Sequence, residues 1–130
     1  MEFVPHKSVG EIEFGQRPEE VHRVLGQPTR RVGETEQYAS GWMVDYDAEG
    51  RVDFLQTWLR PLVTLDGLPL IATPAADVVA LVRALDAEPR DIDGDGRVYV
   101  HGLGFGFMGD PVESVWMYPP GHYDGFERTN

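Results

Sequence analysis

Apolar residues recur at helical spacing in two stretches of the chain and at strand spacing between them. In FGQRPEEVHRVLGQP, Val21, Val24 and Leu25 fall at i, i+3 and i+4 and make one narrow stripe. Pro18 suits the first helical position, where its missing N–H costs nothing, and Glu19 and Glu20 sit near the positive end of the helix dipole. Gly26 stops the helix and Pro28 prevents its resumption. ATPAADVVALVRALDAEP has the same grammar: Thr73 caps, Pro74 opens, Val78, Leu81, Val82 and Leu85 form the stripe, and Pro89 closes it. Two helices are predicted.

Strand patterns follow each helix, at 38–46, 51–59, 97–107 and 112–118. In RVDFLQTWL, Val52, Phe54 and Trp58 alternate against Asp53, Leu55 and Thr57, the period-two pattern of a strand. Trp42 and Trp58 are both expected in the core. Along 97–107, Gly102, Gly104 and Gly106 share one side while Leu103, Phe105 and Phe107 share the other. A strand bare on one face lets something approach its backbone, either the 78–85 helix or a ligand or partner side chain.

The two halves can be laid on each other. At an offset of 61, Pro28–Tyr46 matches Pro89–Phe107 without a gap, pairing Gly33 with Gly94, Tyr38 with Tyr99 and Gly41 with Gly102. One deletion at the next turn sets Val52 on Val112 and Trp58 on Tyr118. The expected fold is therefore α+β: one compact domain over 1–130, with two α-β-β-β repeats at about 8–60 and 66–119 whose helices pack on antiparallel sheet. RPLVTLDG, at 60–67, is the expected junction and is too apolar for a flexible tether.

Gly10, Ile12, Phe14, Gly15, Glu19, Glu20, Val21, Leu25, Gly26 and Pro28 form a string that resembles the helix-and-sheet repeat of β-lactamase-inhibitor-type proteins and of the small lipoproteins of outer-membrane assembly. The resemblance covers about 20 residues well and the remainder only as topology. Arg17-Pro18 stands where that pattern has a hydroxyl cap, and neither a cysteine pair nor a lipoprotein signal is present. It implies binding of other proteins through a concave sheet, without catalysis.

Composition narrows the function classes. The net charge is −11, with −4 before and −7 after the division at Leu65, which disfavours binding to nucleic-acid phosphates. The same field attracts a basic protein or a cation. No apolar run is long enough to span a membrane, and the first residues lack the pattern of an export signal. Absent cysteines exclude disulfides, thiolate nucleophiles and cysteine-held zinc. A cytoplasmic protein without cofactor, monomeric or homodimeric, is expected.

Two strings, DYDAEGRV at 45–52 and DIDGDGRV at 91–98, share the skeleton of a calcium loop. Asp91, Asp93 and Asp95 supply the first ligands of such a loop, but Gly102 stands where a closing Glu is needed. In the first string that place belongs to Gln56. Because the strings occupy unequal places in the repeats, both are read as turns, with weak calcium binding left open at 91–98. Gly104–Gly109 fits G-x-G-x-x-G but is followed by Asp110-Pro111 and a strand, with no helix to hold a phosphate. His6, His22, His101 and His122 have no metal-binding spacing, and His22 is expected on the exposed side of its helix.

Large rings remain as the candidate chemistry. Trp116, Tyr118, His101 and Tyr123 are the expected partner-binding residues, on a sheet face where Trp and Tyr serve as anchors. The expected function is a non-catalytic protein-binding module, of immunity or inhibitor type, directed at a basic protein. The alternative is a small-molecule or weak cation binder, or a hydrolase, with its site over the glycine strand 102–106.

Overall fold

The computed structural model describes residues 1–58, 63–90, 96–120 and 122. Helix α1 spans Pro18–Leu25, as the stripe and its flanking residues predict. The Arg17 backbone N–H donates to the Glu20 carboxylate at 3.2 Å, and Gly26, at φ +81°, returns its N–H to the His22 carbonyl. Helix α2 spans Ala75–Ala84 and starts one residue later than expected. Pro74 is its cap residue, and the Thr73 hydroxyl turns back to the Pro69 carbonyl instead of capping.

The first-turn N–H of Ala75 is satisfied from a distant segment, by Asp110 Oδ1 at 3.1 Å. An end cap of this kind contributes about 1 kcal/mol. Asp110→Ala should therefore lower unfolding free energy by about 1 kcal/mol in urea titration; an unchanged midpoint would show that water serves the Ala75 N–H equally well.

The strands run antiparallel in three sheets. β1 (Phe3–Val4), β2 (Ser8–Val9) and β3 (Ile12–Glu13) form a small meander before α1. β4 (Arg30–Val32), β5 (Thr35–Gln37), β6 (Trp42–Tyr46) and β7 (Val52–Trp58) follow α1. β8 (Thr64–Leu65) and β9 (Leu68–Pro69) make a hairpin about Asp66 and Gly67, whose φ values of +51° and +84° are those of a tight hairpin turn. After α2 come β10 (Val98–Val100), β11 (Phe105–Met108) and β12 (Ser114–Met117). The main sheet has the order β10-β11-β12-β7-β6-β5-β4, so the two meanders meet at β7 and β12.

Helices and sheet form an α+β arrangement with one helix-covered face. Val21 of α1 and Val78 and Val82 of α2 share a buried cluster with Val44, Leu55, Val100, Phe105, Phe107, Val115 and Met117. Phe3 joins it edge-on to Phe105, ring centroids 5.6 Å apart. Tyr99, Trp116 and Tyr118, with Phe54, pack separately on the opposite face, which among the described residues carries no helix.

Three sequence expectations are corrected here. The 97–107 segment is not one strand: a turn over 101–104 separates β10 from β11, with Gly104 at φ +75°. Tyr38 and Tyr99 do not occupy equivalent faces, since Tyr38 belongs to the helix-side core and Tyr99 to the opposite cluster. Gln37 pairs with Met43 across five residues whereas Val100 pairs with Phe105 across four, and a one-residue difference inverts every side chain that precedes it.

The third correction concerns β7. Its core-facing residues include Leu55 and Thr57, while Trp58 is 36% exposed. Asp45 pairs with Phe54 and Tyr46 with Val52, so Asp53 is the extra residue of a bulge. That extra residue lets both Val52 and Leu55 reach the core despite their odd separation. It also turns Phe54, Gln56 and Trp58 to the face without helices.

Candidate functional site

The helix-free face carries a groove of about 570 Å³ where β7, β11 and β12 meet the segment after β9. Trp58, Ile71, Met108 and Val112 give it apolar walls, Gln56 and Ser114 lie on its floor, and Glu113 stands at its rim. Trp58 and Met108 are 36% and 38% exposed, unusual for side chains this large on a sheet face. A second recess of about 280 Å³ shares Gln56, Met108 and Ser114 with it and adds Phe54, Arg97, Tyr99 and Trp116. Gln56 Nε2 donates to Ser114 Oγ at 3.2 Å and so fixes both polar groups between the cavities.

Three of the sequence-predicted binding residues come together beside this recess. Trp116 meets Tyr99 edge-on at 5.6 Å, Tyr99 stacks on His101 at 5.7 Å, and His101 Nδ1 donates to the Tyr118 hydroxyl at 2.8 Å. The Tyr118 hydroxyl donates in turn to the Phe105 carbonyl at 3.3 Å. Trp116 and Tyr118 are buried and His101 half-buried, so they brace the face, and Trp58 and Met108 present it. Tyr123 lies outside the described residues, as do Asp91, Asp93 and Asp95.

The glycine strand is occupied from an unexpected side. A Cβ on Gly106 would lie 2.3 Å from Trp116 Nε1, so the indole itself fills the bare position, not α2. Gly104 is held against the Tyr118 carbonyl and the His6 ring, and His6 Nε2 donates to the Gly102 carbonyl at 2.9 Å. A turn and β12 follow Gly109, so no helix opens directly after 104–109 as a pyrophosphate loop requires, and the nearby first turn of α2 is already served by Asp110.

Acidic groups gather at the hairpin between β6 and β7. Asp47 Oδ1 accepts the Glu49 and Arg51 backbone N–H groups at 2.9 and 3.0 Å, and Gly50 takes φ +77°, which makes 47–50 a side-chain-braced turn. Burial pushes the Asp53 carboxyl above its ordinary value, opposed by His122 beside it and reinforced by Asp47 and Asp45. His122 Nδ1 is 3.9 Å from Asp53 Oδ2, and its ring lies 5.7 Å from that of Tyr118. Among the described residues no three His, Asp or Glu side chains are placed to hold a metal ion.

A separate polar cluster sits on the helix side. Glu36 is 1% exposed, yet its carboxylate accepts from Tyr46 Oη at 2.7 Å, Tyr38 Oη at 2.9 Å, His22 Nε2 at 3.0 and 3.1 Å, and Arg31 Nη1 at 3.3 Å. Arg31 also lies over the Tyr46 ring at 5.9 Å. Burial alone would raise the Glu36 carboxyl, but the Tyr46, His22 and Tyr38 donors outweigh it and hold it below the ordinary value. Burial and the adjoining carboxylate raise both tyrosine hydroxyls. A carboxylate so fully bonded and closed to solvent is a poor proton-transfer group; its place is to tie α1 to β4, β5 and β6. His22 is thus half-buried and bonded, not on the outer side of α1 as expected.

No family model, characterised protein or solved structure matches the chain. Trp58 was expected in the core and Met108 was not singled out, because their orientation depends on the bulge at Asp53 and on where β11 ends. The available signal was the alternation of Phe54, Gln56 and Trp58, which is as regular as that of the residues between them.

Proposed function

We propose that the protein is a non-catalytic, cytoplasmic binding module whose helix-free sheet face receives a segment of a basic protein, in the manner of an inhibitor or immunity protein. The observation that carries this is the open groove at the β7–β12 junction, with Trp58 and Met108 exposed on its walls. An apolar side chain of the partner enters there, flanked by Lys or Arg residues that face Glu113 and the wider field of a chain carrying −11. The succession of a helix and a meander, twice, supports a doubled module whose halves together build the groove. Trp58 belongs to the first half, and Met108 and Ser114 to the second.

Selection from a displayed peptide library tests it. Peptides with an apolar residue between basic ones should be enriched and should bind more weakly as salt is raised. Truncating an aromatic anchor typically costs about 2 kcal/mol or more, so Trp58→Ala should weaken the selected peptide by about 30-fold. The same change should alter folding stability by only about 0.5 kcal/mol, since Trp58 is not in the core. No enrichment, or binding indifferent to Trp58, would count against the proposal.

A further inference from the structure

His122 lies on the same sheet face as the groove. Its ring is 5.4 Å from that of Phe54 and 5.7 Å from that of Tyr118, and its Nδ1 is 3.9 Å from Asp53 Oδ2. Contacts with β7 and with the residue after β12 thus fix where the following segment starts. Phe54, Gln56 and Trp58 succeed one another along this face, and at about 3.3 Å per residue Trp58 stands about 13 Å from Phe54. The groove therefore begins at Gln56, midway along that path, and extends to Trp58. The sequence after His122 is YDGFERTN, outside the described residues. Phe126 is the fourth residue of it, and four extended residues also span about 13 Å. A segment laid along β7 brings that ring to the groove.

We infer that the segment after His122 docks in the groove of its own chain, with the Phe126 ring between Trp58 and Met108. The chemistry matches at two points. Phe126 covers the exposed apolar walls, and Gly125 before it lets the backbone bend toward them. Arg128 is the only basic residue of the eight, and in an extended segment it shares a side with Phe126. It then faces Glu113, exposed at the groove's rim. A tether this short holds the ring at a local concentration on the order of millimolar, so modest affinity fills the groove. The inference goes beyond the partner-binding proposal, since anything entering from outside must first displace Phe126. Its test contains no partner, so the two fail separately.

The chain has no cysteine, so Thr129→Cys gives a single site for a spin label in the full-length protein. In a proton–nitrogen correlation spectrum the label should broaden the signals of 56–58, 108 and 112–114 most strongly. Adding Phe126→Ala to the labelled chain should restore most of that lost intensity. Without the label, Phe126→Ala alone should shift the indole N–H signal of Trp58, one of three tryptophans and identified by Trp58→Phe. Broadening centred on other residues, or groove broadening that Phe126→Ala leaves unchanged, overturns the inference. A mixture of spin-labelled, unenriched chain with unlabelled, nitrogen-15 chain tests the remaining occupant. No broadening in the mixture is the expected result; groove broadening there would place the segment in a second copy and overturn docking within one chain.

Discussion

Replacing Glu36 by alanine is expected to destabilise the fold by about 3–5 kcal/mol, the range for breaking a buried charge network from one side. The substitution leaves the Tyr38 and Tyr46 hydroxyls buried without their acceptor, and His22 and Arg31 without their counter-charge. Glu36→Gln keeps one acceptor oxygen and should cost about half as much, because neutral hydrogen bonds are roughly half as strong as charge-assisted ones. Chemical denaturation monitored by circular dichroism measures both, and equal losses for the two variants would show that the charge contributes nothing.

The same carboxylate sets an acid limit. Its pKa in the folded state lies below the ordinary 4.5, so the unfolded chain takes up the proton first as pH falls. Its contribution is complete above the ordinary value and lost as pH drops through the depressed one. Wild-type stability should therefore decline as pH falls below the ordinary 4.5 and through the depressed value, and the Glu36→Gln variant should show a flatter decline over the same acid range. Parallel declines would place the acid sensitivity in other carboxylates.

Gly106→Ala is the second large effect. The new methyl would stand 2.3 Å from Trp116 Nε1 and 2.4 Å from Cε2, and the rigid indole can yield only by leaving its place against Tyr99. Overpacking of this kind costs about 1–3 kcal/mol, and the upper end applies because the indole is nearly enclosed. Near-ultraviolet circular dichroism should lose the signal of the Tyr99–Trp116 pair. Gly102→Ala is the contrast: its Cβ would meet Ala87 at 3.7 Å, an ordinary contact, so a change within about 0.5 kcal/mol is expected. Equal penalties at the two positions would mean that the chain disfavours any side chain along 102–106, and that the indole is not what excludes one.

That contrast shows what the sequence could and could not convey. Glycines at 102, 104 and 106 look alike in a pattern of alternation, but 102 and 104 belong to a turn and only 106 lies in a strand. Local grammar was legible: Pro18 and Gly26 bound α1, and Asp47 with Gly50 makes the β6–β7 turn. Asp66-Gly67 was an equally clear turn signal between apolar residues, passed over as a junction when it is a hairpin. What local grammar lacks is the partner from elsewhere. Asp110 serves the N-terminus of α2 across 35 positions, and Glu36 reads as an ordinary strand carboxylate until His22, Tyr38, Tyr46 and Arg31 converge on it. The face assignment of Trp58 turned on one extra residue, Asp53, which no periodicity announces.

Hydrogen exchange on the protein with a library-selected basic peptide bound tests the working surface most directly. Protection confined to 52–58 and 105–117, the strands that frame the groove, is the predicted result. Protection centred on 18–25 and 75–84, with the sheet segments unchanged, would place recognition on the helices and contradict it.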